Sequence, residues 1–314
     1  MITRISDEVA AAIAARAPVV ALESTIFTHG LPRPRNLRVA IEAEAALRAD
    51  GITPATVGVV RGQLVVGMSE DEIERLAEGR EPVVKASIRD LPIAAAKGLH
   101  AGTTVAATAF AAHAAGISVF STGGLGGVHS GAETTFDESA DLRALASLPV
   151  VVVSAGVKSI LDIGLTLERL ESLNIPVVGY RTTNYPGFFV SDSGFDIEHS
   201  VDTPEQIAAV AVSRDALGIS AALLVANPLP VDEQLQPDLL AHALTDARRA
   251  AAAAGITGKD TTPFLLDFVQ QATKGLSLEV NVAAYRNNVR LGGAIARALA
   301  DKRSGPGGRP LLHR

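Results

Sequence analysis

The chain of 314 residues contains no cysteine. Disulfides, thiolate catalysis and cysteine-ligated zinc or iron–sulfur clusters are therefore excluded. No apolar stretch reaches the ~18 residues that a membrane-spanning helix needs, so no membrane partner is expected. The N-terminus carries Asp7 and Glu8 in its first expected helix and lacks a cleavable signal pattern, which predicts a soluble cytoplasmic protein. Net charge is −6 and there is no long basic block, so nucleic acid is not expected as a partner. A small anionic substrate is still compatible, because a local site can be positive on a negative protein. The phosphate-loop pattern G-x-x-x-x-G-K-S/T is missing, and His29, His100, His113 and His129 show no zinc-binding spacing. Lysine is scarce as well, at six against 22 arginines.

What is present reads as a large α/β protein. Hydrophobic residues make up 47% and charged residues 20%, a globular composition. Short apolar strands, such as Val19–Leu22, Val150–Val153 and Ala222–Val225, alternate with helical stretches. That alternation predicts a three-layer α/β/α sandwich with a largely parallel central sheet. A hairpin at Thr56–Val60 and Gln63–Val66, turning on Arg61-Gly62, makes the sheet partly mixed. One domain is expected over residues 1–300, followed by a disordered tail over 301–314.

Lys158 is the most suggestive of the few lysines. It follows the valine run 150–153 and a Gly turn, at the expected start of a helix over 157–173. An amine beside an apolar strand end is partly desolvated, which frees its lone pair for attack. The same position also suits a lysine snorkelling to the surface from a first helical turn. Glu23, Lys85 and Asn227 likewise lie at the ends of apolar strands. In open α/β sheets, ligand sites collect beyond the carboxyl ends of strands. One carboxylate and two amines are thus expected in one crevice.

Other segments leave alternatives open. The glycine-rich loop 122–129 fails as a dinucleotide fingerprint, because His129 stands at the third glycine position. Gly102-Thr103-Thr104-Val105 opens a helix and suits either phosphate binding or ordinary capping by threonine. Glu133, Asp137, Glu138 and Asp141 cluster. If a helix runs through 137–141, Asp137 and Asp141 share a face that suits Mg²⁺ or Mn²⁺; a solvated acidic helix start is the alternative.

Several blocks occur in a specific order: A-L-E-S-T-I-F-T-H-G-L-P, T-V-G-V-V-x-G, K-G-x-x-A-G-T-T-V-A-A-T, F-x-T-G-G-L-G-G-V-H-x-G-A, D-E-S-A-D-L, S-A-G-V-K-S-I-L-D-I-G-L-T-L-E and N-V-A-A-Y-R-N-N. Together, over about residues 5–300, they resemble the pseudouridine-5′-phosphate glycosidase family, which includes the indigoidine synthase A-like proteins. The resemblance implies reversible cleavage of the C–C glycosidic bond of pseudouridine 5′-phosphate to uracil and ribose 5-phosphate. It implies Lys158 as the nucleophile that forms an imine with ring-opened ribose, and Glu23 as the proton donor. Lys85, Thr104, Val105, Ser139, Ala140, Asp141 and Asn281 match substrate-binding positions. Asp137 matches a Mn²⁺ site, and the family suggests a homotrimer.

The residue types suit that chemistry. A carbon leaving group is hard to expel through an oxocarbenium ion, the route taken with two carboxylates. A lysine amine can be neutral when buried, whereas a guanidinium cannot. Two amines in one crevice repel, so Lys85 is expected either to tune Lys158 or to pair with phosphate or Glu23. Competing readings are another Schiff-base sugar-phosphate lyase or aldolase, and a non-catalytic sugar-phosphate-binding protein.

Overall fold

A computed structural model describes residues 3–256 and 261–304. The chain begins with β1 (Thr3–Ile5), α1 (Asp7–Ala14), β2 (Val19–Leu22), α2 (Arg35–Ala49) and the hairpin β3 (Thr53–Val60) and β4 (Gln63–Val66). It continues through α3 (Glu70–Glu78), β5 (Val83–Ala86), α4 (Leu91–Lys97), β6 (His100–Thr103), α5 (Val105–Ala114) and β7 (Val119–Ser121). Next come α6 (Ala132–Thr135), α7 (Ala140–Leu145), β8 (Val151–Ser154), α8 (Ile163–Ser172), β9 (Val177–Tyr180) and β10 (Ser200–Val201). The described chain closes with α9 (Pro204–Ala216), β11 (Leu223–Ala226), α10 (Pro237–Ala253), α11 (Thr261–Ala272) and α12 (Leu276–Ser304).

The sheet has two halves that share β3. In the larger half the order is β3-β2-β7-β8-β11-β9-β10, and every pairing is parallel. Its central strands β2, β8 and β11 are buried along their whole length, as sheets covered on both faces require. Alternate residues enter opposite cores. Val19 and Ala21 face the layer holding α1, α5 and α10, while Val20 and Leu22 face α2, α9 and α12. This is the expected α/β/α sandwich.

The smaller half is mixed. β3 pairs with β2 through Thr53–Thr56, then with β4 antiparallel through Val57–Val60. Gly58 and Val59 also pair antiparallel with β6, and β6 carries β5 in parallel. The turn at Arg61 (φ 49) and Gly62 (φ 77) is the two-residue hairpin that the sequence predicts.

Several elements differ from expectation. β1 and β6 are strands that the sequence does not announce. β1 has only three residues, and His-Ala-Gly-Thr of β6 has low strand propensity, overridden by pairing on both sides. The helix expected from 157 begins at Ile163, where Asp162 accepts the Leu165 N–H at 2.9 Å. The expected tail from 301 is helical through Ser304, with Lys302 and Arg303 favourably placed in the last turn of α12. Residues 305–314 of that expected tail lie outside the described residues.

Candidate active site

Glu23 is the first residue beyond β2 and is buried. Its carboxylate accepts two hydroxyl donors. Thr25 Oγ1 donates to Oε2 at 2.5 Å, and Thr122 Oγ1 donates to Oε1. Thr122 is the first residue beyond β7, the parallel neighbour of β2. Adjacent parallel strands thus deliver their first loop residues to the same place.

The glycine-rich loop after Thr122 supports the lysine. Ala155 N donates to the Gly123 carbonyl at 2.9 Å, Leu125 N to Gly156 at 3.0 Å, and Lys158 N to Leu125 at 3.2 Å. On the other side, Phe188 N donates to the Ala155 carbonyl at 2.9 Å. Gly156 adopts φ +83 with its α-carbon against the Pro186 carbonyl oxygen, so a side chain there is excluded twice over. Tyr185 lies buried beneath, its hydroxyl held by the Val157 backbone, and burial pushes its phenol above the ordinary range. Lys158 therefore projects, half-buried, from an irregular segment clamped on both sides. These inter-loop bonds use the backbone groups that a helix from 157 would need.

Lys85 arrives from the mixed half. It pairs in register with Gly102, and Gly102 pairs with Gly58 of β3. Because β6 runs antiparallel to β3, the ends of β5 and β6 reach the end of β2. There Ser24 Oγ accepts the Thr103 N–H at 2.8 Å, and Thr103 Oγ1 donates to the Val57 carbonyl at 2.8 Å. Burial lowers the Lys85 pKa first, the Lys158 charge lowers it further, and Asp141 and Glu23 oppose them. Lys85 nonetheless keeps much of its surface open. Lys158, Asp141 and Glu23 all act on the Lys85 charge, so these groups lie near it.

Asp141 spends both oxygens on backbone. Oδ1 accepts the Ala106 N–H at 2.9 Å and Oδ2 accepts the Gly126 N–H at 3.0 Å, tying α5 to the glycine loop. Thr104 caps α5 by accepting the Ala107 N–H at 3.4 Å, and Val105 behind it is buried. Ser139 caps α7 by accepting the Asp141 N–H at 3.2 Å, and Ala140 is exposed beside it. Asn281 on α12 brings Oδ1 to 3.5 Å from where a Cβ on Gly123 would lie.

Asp137 does not share a helical face with Asp141. Phe136, at φ 55, ends α6, and α7 starts only after Ser139, so 137–141 is not one helix. Among the described residues no three His, Asp or Glu side chains gather as a metal cage. Asp137, half-buried, offers one carboxylate, which suits an ion held mostly by water. A separate cavity is lined by Arg4, Glu8, Glu44 and Arg48, among others. Its charges pair with protein carboxylates: Arg48 with Glu44 and Glu8, and Arg4 with Glu72.

A family model described as indigoidine synthase A like protein matches residues 8–298. The chain belongs to that family. A pseudouridine-5′-phosphate glycosidase of Saccharopolyspora erythraea is 62% identical over 94% of this chain and 97% of its own length. The prealnumycin C-glycosynthase AlnA, solved in complex with ribulose 5-phosphate, is 34% identical with a TM-score of 0.90 over 97% of this chain and 99% of its own. An indigoidine synthase A-like protein of Thermotoga maritima is 36% identical, with a TM-score of 0.86 over 96% of this chain and 97% of its own.

In this member of the indigoidine synthase A-like family, sequence reasoning passed over three supports of the site. Thr25 and Thr122 hold Glu23, and their only signal is that each is a hydroxyl residue just past a strand. Asn288 is fully buried on α12. Its Nδ2 donates to the carbonyls of Thr122 at 2.7 Å and Gly123 at 3.0 Å, while its Oδ1 accepts from Asn227 at 2.9 Å. Asn288 lies within the last motif block, and a buried asparagine opposite a glycine loop is the signal that was available.

Proposed function

We propose that the chain cleaves pseudouridine 5′-phosphate reversibly to uracil and ribose 5-phosphate. The observation that carries this reading is the meeting of one buried carboxylate, Glu23, with two amines, Lys85 and Lys158, at or just beyond the ends of three strands. The name of the relative 62% identical over nearly its full length agrees with it.

In the proposed reaction Glu23 protonates the ribose ring oxygen, and the C1′–O4′ bond breaks as the Lys158 amine bonds to C1′. The proton that Nζ then loses balances the one that uracil C5 gains. The Nζ lone pair next forms the C1′=N iminium, while the C1′–C5 electron pair restores the uracil ring. Water adds to the iminium and releases ribose 5-phosphate and the free amine. The net change is substrate plus water to uracil plus sugar phosphate. Lys85 is placed to hold negative charge on the substrate, and the clamped loop keeps the Lys158 amine in one position.

Incubation with pseudouridine 5′-phosphate is expected to release uracil. Borohydride added with ribose 5-phosphate is expected to fix the sugar on the peptide bearing Lys158. No uracil overturns the function, and an adduct on another lysine overturns the assignment of Lys158.

Three finer points belong to the same proposal. Asp137 would hold Mn²⁺ together with water, and loss of the bound-Mn²⁺ paramagnetic resonance signal in Asp137→Asn tests this. The assembly is a homotrimer, to be checked by light scattering. The location is cytoplasmic, in keeping with the finding that no described helix is long and apolar enough to cross a membrane. Cell fractionation tests that placement.

A further inference from the structure

The two hydroxyls that hold Glu23 differ in their surroundings. Thr122, which donates to Oε1, is wholly buried. Thr25, which donates to Oε2 at 2.5 Å, is only half-buried. Thr122 is also fixed through its backbone. Its N–H donates to the Val153 carbonyl of β8 at 3.0 Å, and its carbonyl accepts from Asn288 Nδ2 of α12 at 2.7 Å. Thr25 instead precedes a π-helical turn over Ile26–Gly30 and makes no capping bond to it. Its hydroxyl bonds Glu23 and no other described group.

This asymmetry bears on where an acid proton sits. A threonine hydroxyl has one proton, and both of these are given to Glu23. The arrangement is therefore complete for a carboxylate. The acid form has one proton more. The oxygen that takes it becomes a donor and a weak acceptor, so the hydroxyl facing it must turn elsewhere. At Oε1 that hydroxyl belongs to Thr122, which has no second acceptor among the described residues. Turning it leaves an unpaired donor in the protein interior, which is strongly disfavoured. At Oε2 the hydroxyl belongs to Thr25, which turns toward the crevice, where water or a substrate oxygen accepts it.

We propose that Thr122 is a positioning residue: by holding Oε1 it makes Oε2 the oxygen that carries the acid proton and passes it to the ribose ring oxygen. As the C1′–O4′ bond breaks, its electron pair goes to O4′ and takes the proton from Oε2. Glu23 is left as the carboxylate, and Thr25 donates to Oε2 again. This rests on the sugar-phosphate reading of the site, with Glu23 as its acid.

The test is kinetics on pseudouridine 5′-phosphate with Thr122→Val, Thr122→Ser and Thr25→Val, and with Thr122→Val added to Glu23→Gln. Thr122→Val is expected to lower kcat about tenfold, the usual worth of a hydrogen bond to a charged group, with KM within about twofold of wild type. Thr122→Ser restores the hydroxyl and is expected to recover most of kcat. Thr25→Val is expected to lower kcat less, within about threefold, because crevice water replaces the donor at Oε2 and none reaches Oε1. In Glu23→Gln, adding Thr122→Val is expected to change the residual rate less than about twofold, since a residue acting through Glu23 has nothing left to act on.

An unchanged kcat in Thr122→Val overturns the proposal, and so does serine that fails to restore it. A larger loss in Thr25→Val than in Thr122→Val, or an equal loss with and without Glu23, overturns it too. If circular dichroism finds Thr122→Val unfolded, Thr122→Ala against Thr122→Ser carries the comparison, and equal kcat in those two overturns the proposal. A wild type that releases no uracil, or Glu23→Gln that turns over normally, defeats the parent reading instead.

Discussion

The two halves of the sheet contribute to the site by different rules. In the parallel half, Glu23, Thr122 and the lysine loop follow strands β2, β7 and β8, which lie side by side. Their meeting is a direct consequence of parallel order, since neighbouring strands end at the same edge. In the mixed half, Lys85 reaches the crevice only because β6 runs antiparallel to β3 and brings β5 with it. The parallel half holds the proposed reacting groups, and the mixed half supplies positive charge beside them. Chemistry and recognition are thus mounted on two sub-sheets joined at β3 and at the Ser24–Thr103 contact.

Substitutions can separate these roles. Replacing Lys158 with Met is expected to bring uracil release below detection and to abolish the borohydride adduct, while the melting temperature stays near that of wild type. Glu23→Gln is expected to lower kcat by ~10²–10⁴, the usual worth of a positioned acid, with the fold intact by circular dichroism. Lys85→Met, in the mixed half, is expected to act mainly on KM, raising it ~10–100-fold for loss of a charged hydrogen-bond donor. A large kcat loss with KM retained would instead place Lys85 with the reacting groups and erase the division. The smallest effect is expected at the junction. Thr103→Val removes the hydroxyl contacts to Ser24, Val57 and Thr108 and is expected to cost ~1–3 kcal/mol of stability, measured by urea unfolding. Activity per folded molecule is expected to change least there.

The two halves were also unequally legible. The valine run before Lys158 and the short apolar run before Glu23 announce buried parallel strands, so their ends could be read as site positions. The hairpin at Arg61-Gly62 was equally plain, because the turn chemistry is local. β6 was not, since His-Ala-Gly-Thr becomes a strand only through its partners. The clamp on Lys158 was hidden for a related reason. Residues 157–162 contain no helix breaker, and bonds to distant chain turn them away from a helix: Lys158 N to Leu125, Asp162 N to Val128 and Ser159 Oγ to Gly187. Propensity is a local quantity, and these are decisions made by distant chain. The expected effect of Lys85 on its neighbour was likewise read from one side. In the folded protein Lys85 is itself pulled down, by burial and by the Lys158 charge.

Asn288 has a consequence for how the protein is made. It lies on α12, which leaves the ribosome after the strands and loops that carry Glu23, Lys85 and Lys158. Until that helix docks, the Thr122 and Gly123 carbonyls and the Asn227 side chain lack their shared partner. A chain made only as far as β11 therefore carries Glu23, Lys85 and Lys158 with the glycine loop still unsecured.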